Sequence, residues 1–301
     1  MANSSPQDNT MRIGVLAAWG NLPLVVARQI KAQGHQVVGL GVRHHCDPAM
    51  EELCDEFGWT GLARLGGAIR FFQRHGVTRA TMAGKIHKVL LYQPWTWARY
   101  IPDWTAVKTF FPHFISGARD RKDDTLLGTI VELFARHGIE FVPPTDYAPE
   151  LLAPVGQIAG PPPTALQQAD IDFGWSIAKQ MGGLDIGQSI CVKGQAVLAV
   201  EAIEGTDLCI ARAGELCCQG GFSVVKVAKP QQDMRFDVPT VGLRTLRNMA
   251  KAGGSVLAIE AGRTIVLEEA VFCEFAQKHR ISVVSIEDDE MQVVSPLRHT
   301  A

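Results

Sequence analysis

The sequence is poor in the features that mark several large protein classes. No stretch approaches the roughly 20 apolar residues needed to cross a bilayer, so the 301-residue chain reads as soluble or at most peripheral to a membrane. Its 29 basic residues are balanced by 31 acidic ones, and no basic stripe stands out; a nucleic-acid partner, which needs a concentrated positive surface, is not expected. The cysteines at 46, 54, 191, 209, 217, 218 and 273 form no CxxC pair and no compact zinc spacing, and their odd number fits reduced thiols in a cytoplasmic protein. His44, His45 and Cys46 with Cys54 offer donors for a metal, and a polar loop after a strand accounts for them equally. The first ten residues lack the apolar core of a secretion signal and are expected to be a loose tail. The turn Ala17-Ala18-Trp19-Gly20-Asn21-Leu22-Pro23 holds one glycine where a dinucleotide fingerprint needs three, which argues against a nicotinamide or flavin cofactor.

What is present is a large supply of apolar residues, 47% of the chain, enough for two ordinary cores. Met11–Ala17, Leu22–Gln33 and Gln36–Gly41 read as a βαβ unit. Ala68–His75 and Thr125–His137 read as further helices, and Arg79–Ala83 and Glu140–Val142 as strands, so residues 11–150 are expected to form a parallel sheet covered by helices. Prolines crowd the stretch that follows, and 151–165 is expected to be a linker. Residues 166–301 read as a mixed-sheet α/β domain. Asp170 or Asp172 caps a helix running to Met181; the strands are Ser189–Lys193, Ala196–Ala202, Ser223–Ala228, Ser255–Ile259, Thr264–Leu267 and Ser282–Ile286, with helices over Asp207–Ala213, Leu243–Ala252 and Glu268–His279.

Chemistry concentrates between Leu184 and Gly242. Acids, amides and two lysines, Lys226 and Lys229, stand at strand ends and turns, where side chains can converge on a ligand, and the set suits a metal-bound phosphate. Lys226 lies inside an apolar strand, and an unpaired lysine is seldom buried. Thr206 with the Gly205 amide can position a phosphate oxygen, and the lysines can stabilise developing negative charge. Glu201 and Asp207 read equally as site residues or, respectively, as a strand-end acid and a helix cap. In the other half, Gly20 permits close backbone approach, with amides behind it that could face an anion. Asp123 and Asp124 complement the dipole of the helix they open, while Arg119 and Lys122 beside them could hold a phosphate. Tyr92, Trp95, Trp97, Tyr100, Trp104, Phe110, Phe111 and Phe114 gather in one stretch with Lys88, Arg99 and Lys108. They read either as core of a helical hairpin or as an apolar groove or membrane-interface face.

Four blocks, LDIGQ (184–188), VEAIEGTD (200–207), KVAKPQQD (226–233) and FDVPTVG (236–242), resemble the motifs of the LpxI-type UDP-2,3-diacylglucosamine pyrophosphatases of lipid A biosynthesis. The resemblance extends to Gly20-Asn21-Leu22-Pro23, Ala83-Gly84-Lys85, Asp123-Asp124-Thr125-Leu126-Leu127 and Ala261-Gly262-Arg263. Ala18-Trp19 and Lys122 stand where the family usually has glycine. The resemblance implies a Rossmann-like amino-terminal domain, a separate carboxy-terminal α/β domain, and an active site between them. It implies a hydrolase dependent on Mg2+, or another hard divalent cation such as Mn2+, that splits its substrate into UMP and 2,3-diacylglucosamine 1-phosphate.

On that resemblance Asp237 is the essential acid; by its chemistry it would hold the metal or orient water, and the residues around it add Asp207 as a second metal ligand and Lys229 as a catalytic group. Gly20, Asn21, Lys85, Lys122, Asp123, Asp124, Gln188, Glu204, Gly205, Thr206, Lys226 and Thr240 would bind substrate, and Asp185 would stand in the same surroundings. The implied partners are an acylated UDP-sugar, the inner face of the inner membrane and a second copy in a homodimer. A sugar-nucleotide- or lipid-binding protein without hydrolase activity is the alternative.

Overall fold

The computed structural model describes residues 10–86, 102–115 and 123–288, with side chains described over 10–86, 102–109 and 127–288. The chain divides into two compact units. One runs up to Pro149 and includes Met234–Phe236; the other comprises Glu150–Asp233 and the chain from Asp237 onward.

In the first unit, strands β1 (Arg12–Ala17), β2 (Gln36–Val42), β3 (Glu56–Thr60), β4 (Arg79–Ala83) and β5 (Glu140–Phe141) form an all-parallel sheet of order β3-β2-β1-β4-β5. Helices α1 (Leu22–Ala32), α2 (Met50–Leu53), α3 (Leu65–Arg74), α4 (Trp104–Ile115) and α5 (Asp123–Arg136) complete it. β1 and β2 are buried almost end to end, as strands covered on both faces must be. Ile13, Val15 and Val37 pack with Val26, Ala27 and Ile30 of α1 on one face. Val38 and Leu40 pack with Ile69 and Phe72 of α3 and Phe134 of α5 on the other. Gly14 permits that second contact, since a Cβ there would sit 2.9 Å from Val77 and 3.1 Å from the Phe72 ring.

The sheet therefore has the α/β, parallel, Rossmann-like form expected. β3 was not anticipated: Gly58 interrupts its short apolar pattern, and as an edge strand it is only partly covered. α3 also starts three residues before the expected Ala68. Lys122, Tyr92, Trp95, Trp97 and Tyr100 lie outside the described residues. Trp104 is exposed, with the Lys108 Nζ 5.6 Å from its ring centroid.

The second unit contains β6 (Gly156–Ala159), α6 (Ala165–Gly183), β7 (Ser189–Lys193), β8 (Ala196–Val200), α7 (Thr206–Leu216), β9 (Phe222–Lys226), β10 (Thr240–Val241), α8 (Leu243–Ala252), β11 (Gly254–Glu260), β12 (Ile265–Val266), α9 (Glu269–His279) and β13 (Ser282–Ile286). Six strands form a mixed sheet of order β6-β13-β11-β9-β7-β8, with β13, β11 and β9 parallel and the others antiparallel to their neighbours; β10 and β12 pair separately. Ile171, Trp175 and Ala178 of α6 cover one face, against Val225 and Ala258. Ile210, Leu246 and Phe272, from α7, α8 and α9, cover the other against Val224 and Leu257.

The expected mixed-sheet domain is thus present, with local corrections. The proline-rich stretch 151–165 contributes β6, paired antiparallel to β13. The cap of α6 is not Asp170 or Asp172 but Thr164, which forms a reciprocal capping box with Gln167. Asp170 is buried instead and accepts from the Gln195 amide at 2.6 Å, bracing the β7–β8 turn.

All seven cysteines are free thiols. Burial first, and then the neighbouring Asp47 carboxylate, pushes the Cys46 thiol up to about 11. Burial, then the nearby Cys46, pushes Cys54 up to about 12. The thiolate is the reactive form, so both stay protonated and inert through neutral pH. Iodoacetamide at pH 7.5 is expected to modify the exposed Cys218 first and to spare Cys46 and Cys54 until the protein unfolds. Peptide mapping by mass spectrometry over time checks the order, and early labelling of Cys46 would contradict the packing described.

Candidate active site

The motif residues of the second unit collect at one edge of its sheet. β8 and β9 end there and antiparallel β7 begins there, so Ser189 and Lys226 are register partners on neighbouring strands. Lys226, the last residue of β9, is only 3% exposed. Its Nζ donates to the Thr206 Oγ1 at 2.8 Å, and the Thr206 hydroxyl donates in turn to Glu201 Oε1 at 2.9 Å. The Ser189 hydroxyl lies 3.3 Å from Thr206 Oγ1. A buried amine is thereby linked through a hydroxyl to a buried carboxylate, an arrangement that holds all three side chains in place.

Gly187 makes room for this chain of bonds: a Cβ there would fall 2.1 Å from the Glu201 carbonyl oxygen. Gln188 follows, and its side-chain oxygen is buried with no hydrogen-bond partner among the described residues. Thr206 is the first residue of α7. Gly205 before it has φ +85 and gives that helix no side-chain cap, so the amino end of α7 presents backbone amides together with the Thr206 hydroxyl.

A second group forms where the chain leaves β9. The Lys229 Nζ donates to Asp185 Oδ1 at 2.5 Å and lies 3.9 Å from Asp237 Oδ2. Asp185 has φ +57, a left-handed conformation that aspartate tolerates better than most residues. The Lys229 amide donates to Gln232 Oε1 at 2.7 Å, and the Asp237 amide donates to the Asp233 carbonyl at 3.1 Å, closing two turns that carry Lys229 and Asp237. Glu260, 1% exposed at the end of β11, accepts from the Ala228 amide at 2.7 Å and from the Lys179 Nζ at 2.8 Å. It therefore pins the backbone between Lys226 and Lys229.

The remaining expected residues are placed as follows. Asp207 is engaged by Arg244, Nε to Oδ2 at 2.8 Å, and Glu204 by Arg212 at 3.0 Å. The Thr240 hydroxyl donates to the Val238 carbonyl within its own turn. Among the described residues no three His, Cys, Asp or Glu side chains are arranged to hold a metal ion. A closed protein cage for a metal is therefore not formed by the described residues, and Asp237 joins Asp185 in bringing carboxylate oxygens to Lys229.

In the first unit the loops after β1 and β4 are clasped together. Trp19 and Lys85 exchange backbone bonds, N to O, of 3.1 and 2.8 Å, and the Ala18 amide donates to Ala83. Gly84 is indispensable to that clasp, with φ +98 and a hypothetical Cβ 2.7 Å from the Ala18 carbonyl carbon. The clasp brings Gly20, Asn21 and Lys85 to the carboxyl ends of β1 and β4, where the strand order reverses and ligands of such sheets bind. Asp123 and Asp124 open α5 as expected, their side chains outside those described.

Sequence reasoning singled out Lys226 but not its setting. Ser189 and Glu260 were missed, and Glu201 stood evenly between a site residue and a strand-end acid. Only the β7–β9 pairing and the fold of the 201–206 turn bring these residues together.

The family models for the LpxI N-terminal and C-terminal domains match residues 12–151 and 154–284. The UDP-2,3-diacylglucosamine pyrophosphatase LpxI of Caulobacter vibrioides is 28% identical over 286 residues, covering 93% of this chain and 99% of that one. Among solved structures, the biotin carboxylase domain of a single-chain bacterial carboxylase aligns with 65% of this chain and 38% of its own at 15% identity and TM-score 0.25. A nucleoside-diphosphate-sugar epimerase from Pseudomonas aeruginosa aligns with 94% of this chain and 90% of its own at 13% identity and TM-score 0.28. Neither structural likeness carries weight at such scores. The two domain matches, in order and adjacent, take in nearly the whole chain and both groups of site residues: the chain belongs to the LpxI family.

Proposed function

We propose that this chain hydrolyses the diphosphate of UDP-2,3-diacylglucosamine to UMP and 2,3-diacylglucosamine 1-phosphate in lipid A biosynthesis. The observation that carries the proposal is end-to-end agreement with a relative of that name, which spans both family domains. The reaction adds water across one P–O bond of the anhydride. The attacking oxygen bonds to phosphorus, the bridging oxygen leaves with the other phosphoryl group, and the proton of the water passes to a base.

Asp237 is the group proposed to take that role or to ligate a metal. Its carboxyl group is 36% exposed, accessible to water and ligand. Lys229, beside it, would meet negative charge developing on the leaving oxygen. The open amino end of α7 offers backbone amide donors to a phosphate, with Lys226 and Glu201 holding Thr206, its first residue, in place. Gln188 brings a buried acceptor with a free lone pair, suited to an N–H or hydroxyl of the substrate. Leu184, Ile186, Ile203 and Leu208, on the loops and helix that carry these groups, are exposed and would suit acyl chains.

A bound magnesium or manganese ion would neutralise phosphate oxygens and favour attack on phosphorus. Asp237 is the proposed ligand for it. Asp207, proposed beside it, would exchange its ion pair with Arg244 for the metal. No helix among the described residues is long and apolar enough to cross a membrane; we place the enzyme in the cytoplasm, reaching its substrate at the inner face of the inner membrane.

Asp237→Asn is expected to lower UMP release by about two to four orders of magnitude, the usual worth of a positioned base, with substrate affinity changed by only a few-fold. EDTA is expected to stop the wild-type reaction and magnesium to restore it; a near-normal rate in either case would sink the corresponding role. Thr206→Val removes the hydroxyl shared by Lys226 and Glu201 at nearly constant volume, and it should cost at least about tenfold in kcat/KM, the equivalent of one charge-assisted hydrogen bond. Thr206→Ser should recover most of that loss. If valine and serine behaved alike, the hydroxyl would have no part in the site.

A further inference from the structure

The first unit carries a second concentration of basic groups that none of the family motifs includes. An open recess of about 640 Å³ lies against the β2–β3 edge of its sheet, lined by Leu40 and Gly58 of the strands, Phe71 of α3, and four arginines. Arg43 follows β2, Arg64 precedes α3, and Arg70 and Arg74 stand one turn apart on α3. Gly58 keeps the recess open and lets α3 approach, since a Cβ there would meet the Phe71 ring at 2.7 Å. The Arg43 amide donates to the Thr60 carbonyl at 2.9 Å, which ties its turn to β3, and the Arg64 amide donates to the Gly61 carbonyl at 3.0 Å, which closes the turn that carries it.

The four guanidinium groups form no ion pair with any described carboxylate. Arginines elsewhere do, as Arg79 with Glu140, Arg136 with Glu132, Arg212 with Glu204 and Arg244 with Asp207. Two described acids on neighbouring elements are already engaged. Asp103 gives its two oxygens to the Gly67 and Ala106 amides, at 3.0 and 2.9 Å, and Glu56 faces His75 at 3.8 Å. Arginine does not deprotonate in proteins, so the recess carries its full positive charge at every physiological pH. Arg70 and Arg74 at i, i+4 repel each other and weaken the helix that bears them unless an anion lies between. Guanidinium forks match phosphate oxygens in pairs, where lysine offers only a point charge. The volume lies within the range of small-molecule sites.

We propose that this recess is a phosphate-binding site of the amino-terminal unit, taking a phosphate or diphosphate group through Arg43, Arg64, Arg70 and Arg74. The proposal stands independently of the hydrolase reading, because its test reads binding and not turnover. Phosphate can arrive on a soluble molecule or on a lipid headgroup, and the two arms of the experiment separate these sources. The full-length wild type and the R70Q/R74Q double variant are titrated with inorganic pyrophosphate by calorimetry in EDTA. Both are also sedimented with phosphatidylcholine vesicles that contain or lack phosphatidylglycerol.

The double variant is expected to keep its circular dichroism and to melt close to wild type, since relief of the i,i+4 repulsion offsets the loss of a cation from the last turn of α3. It should bind at least one probe roughly tenfold or more weakly, as the loss of two charge-assisted contacts implies. A loss confined to pyrophosphate assigns a soluble phosphate; a loss confined to phosphatidylglycerol vesicles assigns a headgroup; a loss of both assigns the phosphate group itself. Wild type that binds neither probe, or a variant that binds both as wild type does, overturns the site.

Discussion

The carboxyl edge of the second sheet depends on accommodating one lysine inside the protein. At 3% exposure Lys226 has lost nearly all of its water, and an uncompensated buried ion costs several kcal/mol. The compensation comes from Thr206 and, through it, from Glu201, so strand β9, the turn after β8 and the first residue of α7 are bound into one unit. Each link constrains backbone as well as side chains. Ser189 must face Lys226 across β7 and β9, and Gly187 must pass close to the Glu201 carbonyl, which leaves no space for a Cβ. Such a network is costly unless a ligand uses it, because an apolar residue would fill the end of β9 with less demanding packing.

The first unit reaches the same kind of result by topology alone. Its strand order reverses between β1 and β4, so the loops leaving those two strands diverge above a shared edge. The clasp between Trp19 and Lys85 fixes how close they come, and Gly84 permits it through a positive φ that places its backbone against Ala18. The unusual Ala18-Trp19 pair is therefore accommodated by the backbone. Trp19 takes part in the clasp through its amide and carbonyl, while its side chain stays partly exposed.

Much of this was legible in the sequence where the signal was local. Continuous apolar runs announced β1 and β2, and the switch to helical spacing announced α1, because a two-faced parallel sheet leaves no polar positions in its central strands. β3 was not legible. Glu56 precedes it and Gly58 divides it, and its place at the sheet edge demands little burial. The start of α6 was misread because Asp170 and Asp172 are good caps in isolation, whereas Thr164 and Gln167 satisfy the helix end reciprocally. Lys226 stood out as a charge in an apolar strand. Thr206 stood out as a candidate phosphate-binding group, but the link from Lys226 through Thr206 to Glu201 did not, since nothing local distinguishes Glu201 from any strand-end acid. The ion pair between Asp207 and Arg244 depends on how α7 packs against α8, which no spacing along the chain reveals.

The charges around Lys229 supply the physical reason to expect a cation in the reaction. Asp185 and Asp237 both approach its Nζ, so this group carries two negative charges against one positive. A diphosphate drawn toward Asp237 would meet carboxylate repulsion of about 4 kcal/mol per pair of unit charges at 4 Å and an effective dielectric of 20. Lys229 cannot offset that alone while its closest contact is Asp185. Lys226 is bonded to Thr206 and lies almost wholly beneath the surface. The proposed divalent cation, for which Asp237 is the candidate ligand, would supply positive charge at this point.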